Sequence, residues 1–175
     1  MPDQGSNLEM ARAVIDGQEF LLRPALEEEM EWVLEGMIDC AIETMPAHER
    51  PSAERGALRS VAEMNLRRFG GGEERASEMF LLQGPEGLTG FLWMSTVQDS
   101  NTGETTSFIL DIYVVPAYRC RGLGGFLMTA AESWTRAKGL KKVFLNVGFE
   151  NEKGRRLYDR LGYRVAAMWM SKEID

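Results

Sequence analysis

The stretch Val114-Val-Pro-Ala-Tyr-Arg-Cys-Arg-Gly-Leu-Gly-Gly-Phe-Leu127 decides how this sequence is interpreted. A run rich in β-branched residues ends at Pro116, a basic turn with three glycines follows, and apolar residues then recur at helical spacing. Glycine allows close approach of a ligand and positive φ angles. The first N–H groups of a helix have no intrahelical partners and lie at the positive end of its dipole. The stretch therefore predicts a strand, an anion-binding turn and a helix.

Two common nucleotide-binding motifs are excluded at this turn. A P-loop needs a lysine after its last glycine, and the dinucleotide fingerprint Gly-x-Gly-x-x-Gly would need glycine where this chain has Leu127. The residues Arg119-x-x-Gly122-x-Gly124 instead match the pattern Gln/Arg-x-x-Gly-x-Gly/Ala, with Cys120 and Arg121 at its variable positions.

The elements around this turn predict one domain of mixed α/β structure, of the α+β type. Residues 1–17 are polar and weakly patterned, so we expect a flexible leader there and a single domain over 18–175. Before the turn we predict strands at 19–24, 79–83, 88–97 and 107–115 and helices at 26–44 and 53–69, the second capped by Ser52. After it we predict a helix at 123–138, a strand at 143–147, a helix at 152–161 and a strand at 163–170.

Composition favours a cytoplasmic globular protein without metal. The chain has 175 residues, of which 44% are hydrophobic, and it shows neither a membrane-spanning apolar run nor a secretory signal. Its two cysteines form neither a disulfide framework nor a zinc pattern. The net charge of −7 argues against nucleic acid as a partner. The acidic residues at 27–29, 31 and 35 are interpreted as a solvated helix face rather than a site that attracts a cation.

Several motifs together resemble the GCN5-related N-acetyltransferase (GNAT) superfamily. Beyond the turn, Asp111–Pro116 is similar to the family's fourth strand, and Leu145-Asn-Val147, Asn151 and Leu157–Tyr163 are similar to its fifth strand, asparagine and Leu-Tyr-x-x-x-Gly-Phe/Tyr ending. The resemblance covers residues 107–165, about a third of the chain. It implies a mostly antiparallel central sheet flanked by helices on both faces and splayed at the fourth and fifth strands, with acetyl-CoA between them.

The resemblance also implies which residues bind the coenzyme. Backbone groups of Ile112 and Val114 would pair with the pantetheine arm, and the glycine-rich turn would hold the pyrophosphate. Gly154 departs from the alanine common in the family, which should weaken its helix by about 1 kcal/mol. The expected binding residues are Ile112, Tyr113, Val114, Arg119, Cys120, Arg121, Gly122, Leu123, Gly124, Gly125, Asn151 and Tyr158.

Acetyl transfer to an amine needs a base and a proton donor. An alkyl ammonium titrates near 10.4, so it must lose a proton before it can attack. Tyr158 is the predicted donor to the departing thiolate, although a tyrosine at the rim of a core would show the same spacing. Asp111 is the predicted base. His48, Glu104, Glu150 and a chain of waters remain alternatives.

The sequence thus predicts an acetyl-CoA-dependent N-acetyltransferase. The expected acceptor is a primary amine on a small molecule, a peptide N-terminus or a lysine, without nucleic acid, membrane or metal, and a homodimer is possible. A coenzyme-A-binding regulatory module that has lost catalysis, and a protein that binds another diphosphate at the same turn, remain open. No motif specifies the acceptor.

Overall fold

The computed structural model describes residues 9–46, 48–70, 77–172 and 174. Its strands are β1 (Ala11–Ile15), β2 (Gln18–Pro24), β3 (Ser77–Gly84), β4 (Gly87–Gln98), β5 (Thr105–Val114) and β6 (Val143–Leu145). Its helices are α1 (Met30–Thr44), α2 (Arg55–Gly70), α3 (Leu123–Ala137) and α4 (Glu152–Arg160), with short 3₁₀ turns at Glu27–Glu29, Arg50–Ser52 and Pro116–Tyr118. Within the described ranges, no helix is long and apolar enough to cross a membrane.

The strands form one six-stranded sheet in chain order, antiparallel from β1 to β5 and parallel between β5 and β6. Helices cover both faces of the sheet. They are needed on both faces because β4 carries apolar side chains on both sides, and these must be buried. Phe91 and Trp93 pack with α1 and α2 on one face, whereas Leu92 and Met94 pack with α3 on the other. The predicted mixed, mostly antiparallel sheet between helices is confirmed.

The acidic face of α1 is exposed but paired. Arg59 of α2 reaches Glu31 at 2.6 Å and Arg55 reaches Glu35 at 2.6 Å. Glu29, in the 3₁₀ turn before the helix, pairs with Arg23 at 2.6 Å. These carboxylates therefore join α1 to its neighbours, and the prediction of a solvated face holds for Glu31 and Glu35.

The prediction of a flexible leader over residues 1–17 is wrong for β1, and residues 1–8 lie outside the described range. The strand alternates half-buried Ala11, Ala13 and Ile15 with exposed residues and pairs antiparallel with β2. The turn between the strands has φ angles of 51° at Asp16 and 76° at Gly17. Asp-Gly is the dipeptide that favours such a hairpin turn, and the small alanines concealed the strand pattern.

Two predicted details of the helices are also wrong. Ser52 does not cap α2, because it lies in the preceding 3₁₀ turn, where its hydroxyl donates to the Glu49 carbonyl at 2.9 Å. The i, i+4 spacing of Leu157 and Leu161 also predicts an apolar pair facing the core, but Leu161 lies past the end of α4 and is exposed.

The predicted strand at 163–170 is absent from the described structure, where this segment runs without regular pairing beyond the end of the sheet at β6. Its residues form a nearly continuous apolar run, which is consistent with a buried strand. A strand also needs a neighbour that accepts its hydrogen bonds, and local sequence does not specify that neighbour.

Candidate active site

The site is built on the edge of β5 that faces β6. Along its other edge, β5 pairs with β4 from Thr105 to Val114, with a bulge at Leu110. Toward β6 it pairs only over Ser107–Ile109. Beyond Ile109 the two strands separate and leave the edge of residues 110–114 without a neighbouring strand in the described structure. The predicted splay of the family's fourth and fifth strands, here β5 and β6, is confirmed.

The open edge presents the backbone groups of Ile112 and Val114. The next residue, Val115, donates its N–H to the Thr89 carbonyl at 2.9 Å and so faces β4. Because backbone groups of successive strand residues point to opposite sides, those of Val114 and Ile112 point to the groove. Two of these groups already have partners: the Val114 carbonyl accepts from Arg119 Nε at 2.7 Å, and the Ile112 N–H donates to Asp111 Oδ1 at 2.8 Å.

The glycine-rich turn follows the open edge and leads into α3. Its backbone is left-handed at Cys120 (φ 61°) and at Gly122 (φ 93°), and α3 begins at Leu123. The Phe126 N–H donates to the Gly122 carbonyl at 3.0 Å, so the amides at 123–125 precede the first intrahelical donor. A Cβ at Gly125 would meet no atom within 4 Å. The turn therefore offers a helix N-terminus with open space beside it.

The two arginines of the turn differ in their contacts. Arg119 lies 2.8 Å from Glu43 of α1 and stacks over the ring of Tyr113 at 5.6 Å. Arg121 stacks over the ring of Tyr118 at 5.1 Å. The Arg119 guanidinium thus ties the turn to α1, a role that the spacing of the motif does not indicate. The side chain of Tyr113 is buried in the core beside α1, and its carbonyl faces Gly90 of β4 rather than the groove.

A cavity of about 250 Å³ lies between the helix pair α1/α2 and the elements β5, β6 and α4. Asp111 and Tyr158, which are 47 positions apart in the sequence, both line it, as do Asn151 and Cys40. The structure therefore brings the predicted base and the predicted donor to one space. The alternative bases His48, Glu104 and Glu150 are exposed and do not line the cavity.

Asp111 is a carboxyl group in a largely apolar setting. Burial raises its pKa to about 6, although the hydrogen bonds from the Ile112 N–H and the Cys40 thiol oppose that rise. At neutral pH the group is mostly ionised, and it is a stronger base than an ordinary carboxylate.

Cys40 is the cavity residue that sequence reasoning missed. Its thiol hydrogen-bonds Asp111, and burial, together with the nearby Asp111 charge, raises its pKa to about 12. The group is therefore a neutral donor rather than a nucleophile at neutral pH. The available signal was helical spacing, because Met37, Ala41 and Thr44 on the same helix also line the cavity.

Tyr158 lies on α4 across the groove from Asp111. Burial raises its pKa to about 12, with smaller contributions from Cys40, Asp111 and Tyr163. Its phenol is therefore protonated at neutral pH and available as a hydrogen-bond donor.

Asn151 caps the helix that carries Tyr158. Its Oδ1 accepts the Gly154 N–H at 2.9 Å, which is the predicted cap. A Cβ at position 154 would lie 2.8 Å from Asn151 Nδ2, so glycine at this position accommodates the close cap. The departure from alanine thus has a local structural reason.

Comparisons with known proteins agree with this architecture. The sequence pattern described as the acetyltransferase (GNAT) family matches residues 42–163. A putative acetyl transferase from Pyrococcus furiosus superposes with a TM-score of 0.72 at 23% identity, covering 89% of this chain and 99% of that one. A GCN5-related N-acetyltransferase from Ralstonia eutropha gives 0.69 at 21%, covering 89% and 98%. AAC(6')-Iy, solved with the bisubstrate analog CoA-S-monomethyl-acetylneamine, gives 0.59 at 19%, covering 89% and 98%.

Similarity to curated proteins is more local. The uncharacterized N-acetyltransferase YycN of Bacillus subtilis is 28% identical over 50% of this chain and 54% of its own length. The mycothiol acetyltransferase of Corynebacterium aurimucosum is 37% identical over 45% of this chain and 25% of its own length. The chain thus spans about half the length of the first of these relatives and a quarter of the second. With the family pattern matched over more than half of its residues, the chain belongs to the GNAT acetyltransferase family.

Proposed function

We propose that this chain is an acetyl-CoA-dependent N-acetyltransferase that acts on a primary amine by direct transfer, without a covalent enzyme intermediate. The observation that carries the proposal is that the open edge of β5, the start of α3 and the cavity adjoin one another. The open edge of β5 leads at one end into the amides that precede the first intrahelical donor of α3, and it carries Asp111 in a cavity that Tyr158 also lines.

The coenzyme fits this arrangement as an extended ligand. Backbone groups of Ile112 and Val114 would bind the pantetheine arm, as a neighbouring strand would. The amides at 123–125 would bind the pyrophosphate at the positive end of α3. Because Arg119 is engaged by Glu43, we assign the pyrophosphate chiefly to the main chain, with Arg121 beside it. Members of the GNAT family use acetyl-CoA, which supplies the acetyl thioester.

Asp111 acts as the base in this proposal. Its anion binds the acceptor ammonium and takes one proton from it, directly or through a water molecule. The neutral nitrogen then forms a bond to the acetyl carbon and loses a second proton to water as the bond from that carbon to sulfur breaks. The sulfur leaves as the thiol after taking a proton from Tyr158, water returns a proton to Tyr158, and Asp111 releases its proton to solvent. With a pKa of about 6, the Asp111 carboxylate is mostly ionised at pH 7. Its basicity is nevertheless closer to that of the amine than the basicity of an ordinary carboxylate is.

Tyr158 and Val114 act on the electrophile. The Tyr158 hydroxyl donates to the departing sulfur, which develops negative charge as its bond to carbon breaks. The Val114 N–H points into the groove and donates to the thioester oxygen, which becomes more negative as the nitrogen attacks. The Cys40 thiol holds the Asp111 carboxylate in place and does not join the chemistry.

The cavity also indicates the kind of amine. Its α1/α2 wall is mainly apolar, with Met37, Leu58 and Val61 among its residues. Glu31 and Glu35 of α1 are paired with arginines of α2, and Glu43 is paired with Arg119. Asp111 is the carboxylate that lines the space among the described residues. One anion beside an apolar wall favours an acceptor with one amino group on an apolar body.

The test combines binding and turnover. We expect calorimetric titration to show binding of acetyl-CoA in preference to ATP and NAD, and we expect thiol release with members of a library of amines and peptides. Binding of acetyl-CoA without release on any acceptor would favour the non-catalytic module. Preference for ATP or NAD would contradict the proposal.

A charge placed at the helix N-terminus sharpens this test. Gly125→Glu adds a carboxylate where a Cβ meets no atom, so the fold should tolerate it. It should weaken acetyl-CoA binding at least tenfold, because it repels the pyrophosphate. The matched control is Gly56→Glu in the first turn of α2, where a Cβ also meets no atom and binding should not change. Equal affinities of the two variants would place the pyrophosphate elsewhere.

A further inference from the structure

We propose that Asn65 and Asn146 bind a carboxamide of the acceptor, so that the preferred acceptor is an α-amino amide with an apolar side chain. Free amino acid amides and peptide N-termini share this chemistry. The inference rests on the proposed function, because it specifies the acceptor of the same site and adds two residues that determine its specificity.

Two amide side chains in the cavity have no partner in the protein. Asn65 of α2 and Asn146, which follows β6, both line the cavity, and neither makes a side-chain hydrogen bond to another described residue. By contrast, the Asn151 amide caps α4, and Thr44 Oγ1 donates to a carbonyl of α1 at 2.8 Å. An asparagine amide both donates and accepts, so the pair fits a ligand group that does the same.

Asn65 continues an apolar stripe on α2. Leu58, Val61, Ala62 and Asn65 recur at helical spacing, and all four line the cavity. Val61 is 49% exposed, so a bound acceptor would cover apolar surface there. Asparagine favours a helix weakly because its side chain competes for backbone hydrogen bonds. Helix formation therefore does not explain this residue, whereas contact with an acceptor does.

Asn146 lies close to the proposed base along the groove. β6 pairs Leu145 with Ile109 in a parallel register, so the next residue, Asn146, is level with Leu110. Leu110 directly precedes Asp111 in β5. A molecule whose amine is bound by Asp111 therefore has the Asn146 amide near the carbon that carries the amine.

The opposite end of the cavity is closed. A Cβ at Gly148 would lie 2.9 Å from the Thr44 carbonyl oxygen, so the wall after β6 touches the end of α1 there. The ion pairs between α1 and α2 move toward the start of α1 as α2 advances, so Asn65 lies farther from Thr44 than Leu58 does. An acceptor bound at Asp111 therefore extends away from Thr44, toward the two free amides.

Three surfaces thus surround the acceptor. Asp111 binds the amine, the apolar stripe of α2 contacts a side chain, and Asn65 and Asn146 bind a polar group that both donates and accepts. An α-amino amide carries an amine, a side chain and a carboxamide on one carbon. Because the three groups contact different surfaces, the site should also distinguish the two enantiomers of such an acceptor.

Related amines fit these surfaces less well. The carboxylate of a free amino acid would lie near the Asp111 anion and be repelled by it. An aminosugar would place hydroxyl groups against the apolar stripe, where they lack partners. A simple alkylamine would leave both asparagines without a partner from the acceptor. The carboxamide is therefore the group that the site favours.

The experiment compares L-leucinamide, D-leucinamide and isopentylamine, which lacks the carboxamide, in a thiol-release assay with acetyl-CoA. The two enantiomers have the same amine pKa and the same hydrophobicity, so a difference between them reports contacts alone. We expect kcat/KM to differ between them by about tenfold or more, and we expect Asn65→Leu and Asn146→Leu each to remove most of that difference. Asn101→Leu, at an exposed position in the β4–β5 loop, is the matched control and should keep it.

Binding without turnover provides a second measurement. Coenzyme A has no acetyl group to transfer, so the preferred enantiomer can be titrated into protein saturated with it. We expect the Kd for that enantiomer to rise about tenfold in Asn65→Leu and Asn146→Leu, with unchanged circular dichroism. L-Leucylglycinamide, compared with L-leucinamide in the same assays, distinguishes a peptide N-terminus from a free amino acid amide.

The outcomes separate this inference from the proposed function. Thiol release with isopentylamine or other amines, but equal kcat/KM for the two enantiomers of leucinamide, would overturn the inference and leave the proposed function standing. An enantiomer preference that survives both substitutions would overturn the assignment to Asn65 and Asn146. Absence of release with every amine would overturn the proposed function and this inference with it.

Discussion

The two edges of β5 have opposite roles. The edge toward β4 is hydrogen-bonded from Thr105 to Val114 and contributes to a buried sheet, whereas the edge toward β6 is paired over Ser107–Ile109 alone. On the first edge Gly90 lies so close to Tyr113 that a Cβ would overlap its carbonyl oxygen. On the second, Asp111 lies in a cavity of about 250 Å³. One strand therefore supports the fold with one edge, while the other edge borders an open groove.

This difference has a physical basis in backbone hydrogen bonding. Buried N–H and C=O groups need partners, and in a sheet the neighbouring strand provides them. Where β6 departs, the groups of residues 110–114 are left for other partners, and two are used locally by Asp111 and Arg119. The proposed coenzyme site consists of the groups that the fold does not use for itself.

The largest effect should come from Asp111→Asn at the open edge. We expect kcat/KM for acetyl transfer to fall at least 100-fold, because the isosteric amide cannot take the amine proton. In the wild type, kcat/KM should decline as the pH falls below about 6, where Asp111 becomes protonated. Rates measured from pH 5 to 8 check both statements. Asp16→Asn, in the β1–β2 turn, should leave rate and profile unchanged.

The same variant should gain stability. The pKa of Asp111 is raised on folding, so ionisation costs the folded state more as the pH rises from about 4 through 6. The uncharged amide in Asp111→Asn avoids this cost, and the gain in the free energy of unfolding should reach up to ~3 kcal/mol above pH 7 and vanish near pH 4. Urea unfolding at the two pH values measures it. A variant with normal activity would remove Asp111 from the mechanism.

Gly90→Ala tests the edge of β5 that pairs with β4, called here the closed edge. The new methyl group would overlap the Tyr113 carbonyl oxygen, and a paired backbone cannot move aside as a side chain can. We expect a loss of about 2 kcal/mol in the free energy of unfolding, within the range for overpacked cores. Gly56→Ala is the control, since a Cβ there meets nothing and alanine favours helix. Equal stability of the two variants would show that the closed edge tolerates displacement.

The smallest effect concerns the far wall of the open groove. Tyr158→Phe should lower kcat at least tenfold while the affinity for acetyl-CoA stays similar, because only the hydrogen bond to the leaving sulfur is lost. Tyr163→Phe is the matched control. Its ring lies 6.1 Å from that of Tyr158, and its buried hydroxyl has no partner among the described residues. Unchanged turnover in Tyr158→Phe would exclude this tyrosine from catalysis.

Sequence reasoning predicted the parts of this comparison that depend on local pattern. Strand residues followed by Pro116 and the glycines at 122, 124 and 125 predicted the strand and the turn. The open edge and the candidate residues Asp111 and Tyr158 came from the resemblance to the family. Sequence reasoning could not predict the contact of Cys40 with Asp111 or the contact of Arg119 with Glu43, because both depend on where α1 packs against β5. The prediction of a strand at 163–170 was wrong for a related reason. The segment has the composition of a strand, but strand pairing also depends on residues far away in the sequence.

The ion pair between Arg119 and Glu43 has a mechanical consequence. α1 forms one wall of the acceptor cavity, and the turn after β5 forms the proposed coenzyme site, so this contact at 2.8 Å couples the two. Arg119 also donates from Nε to the Val114 carbonyl at 2.7 Å, so one side chain contacts α1, β5 and the turn. A single guanidinium therefore joins one wall of the cavity to the strand and the turn of the proposed coenzyme site.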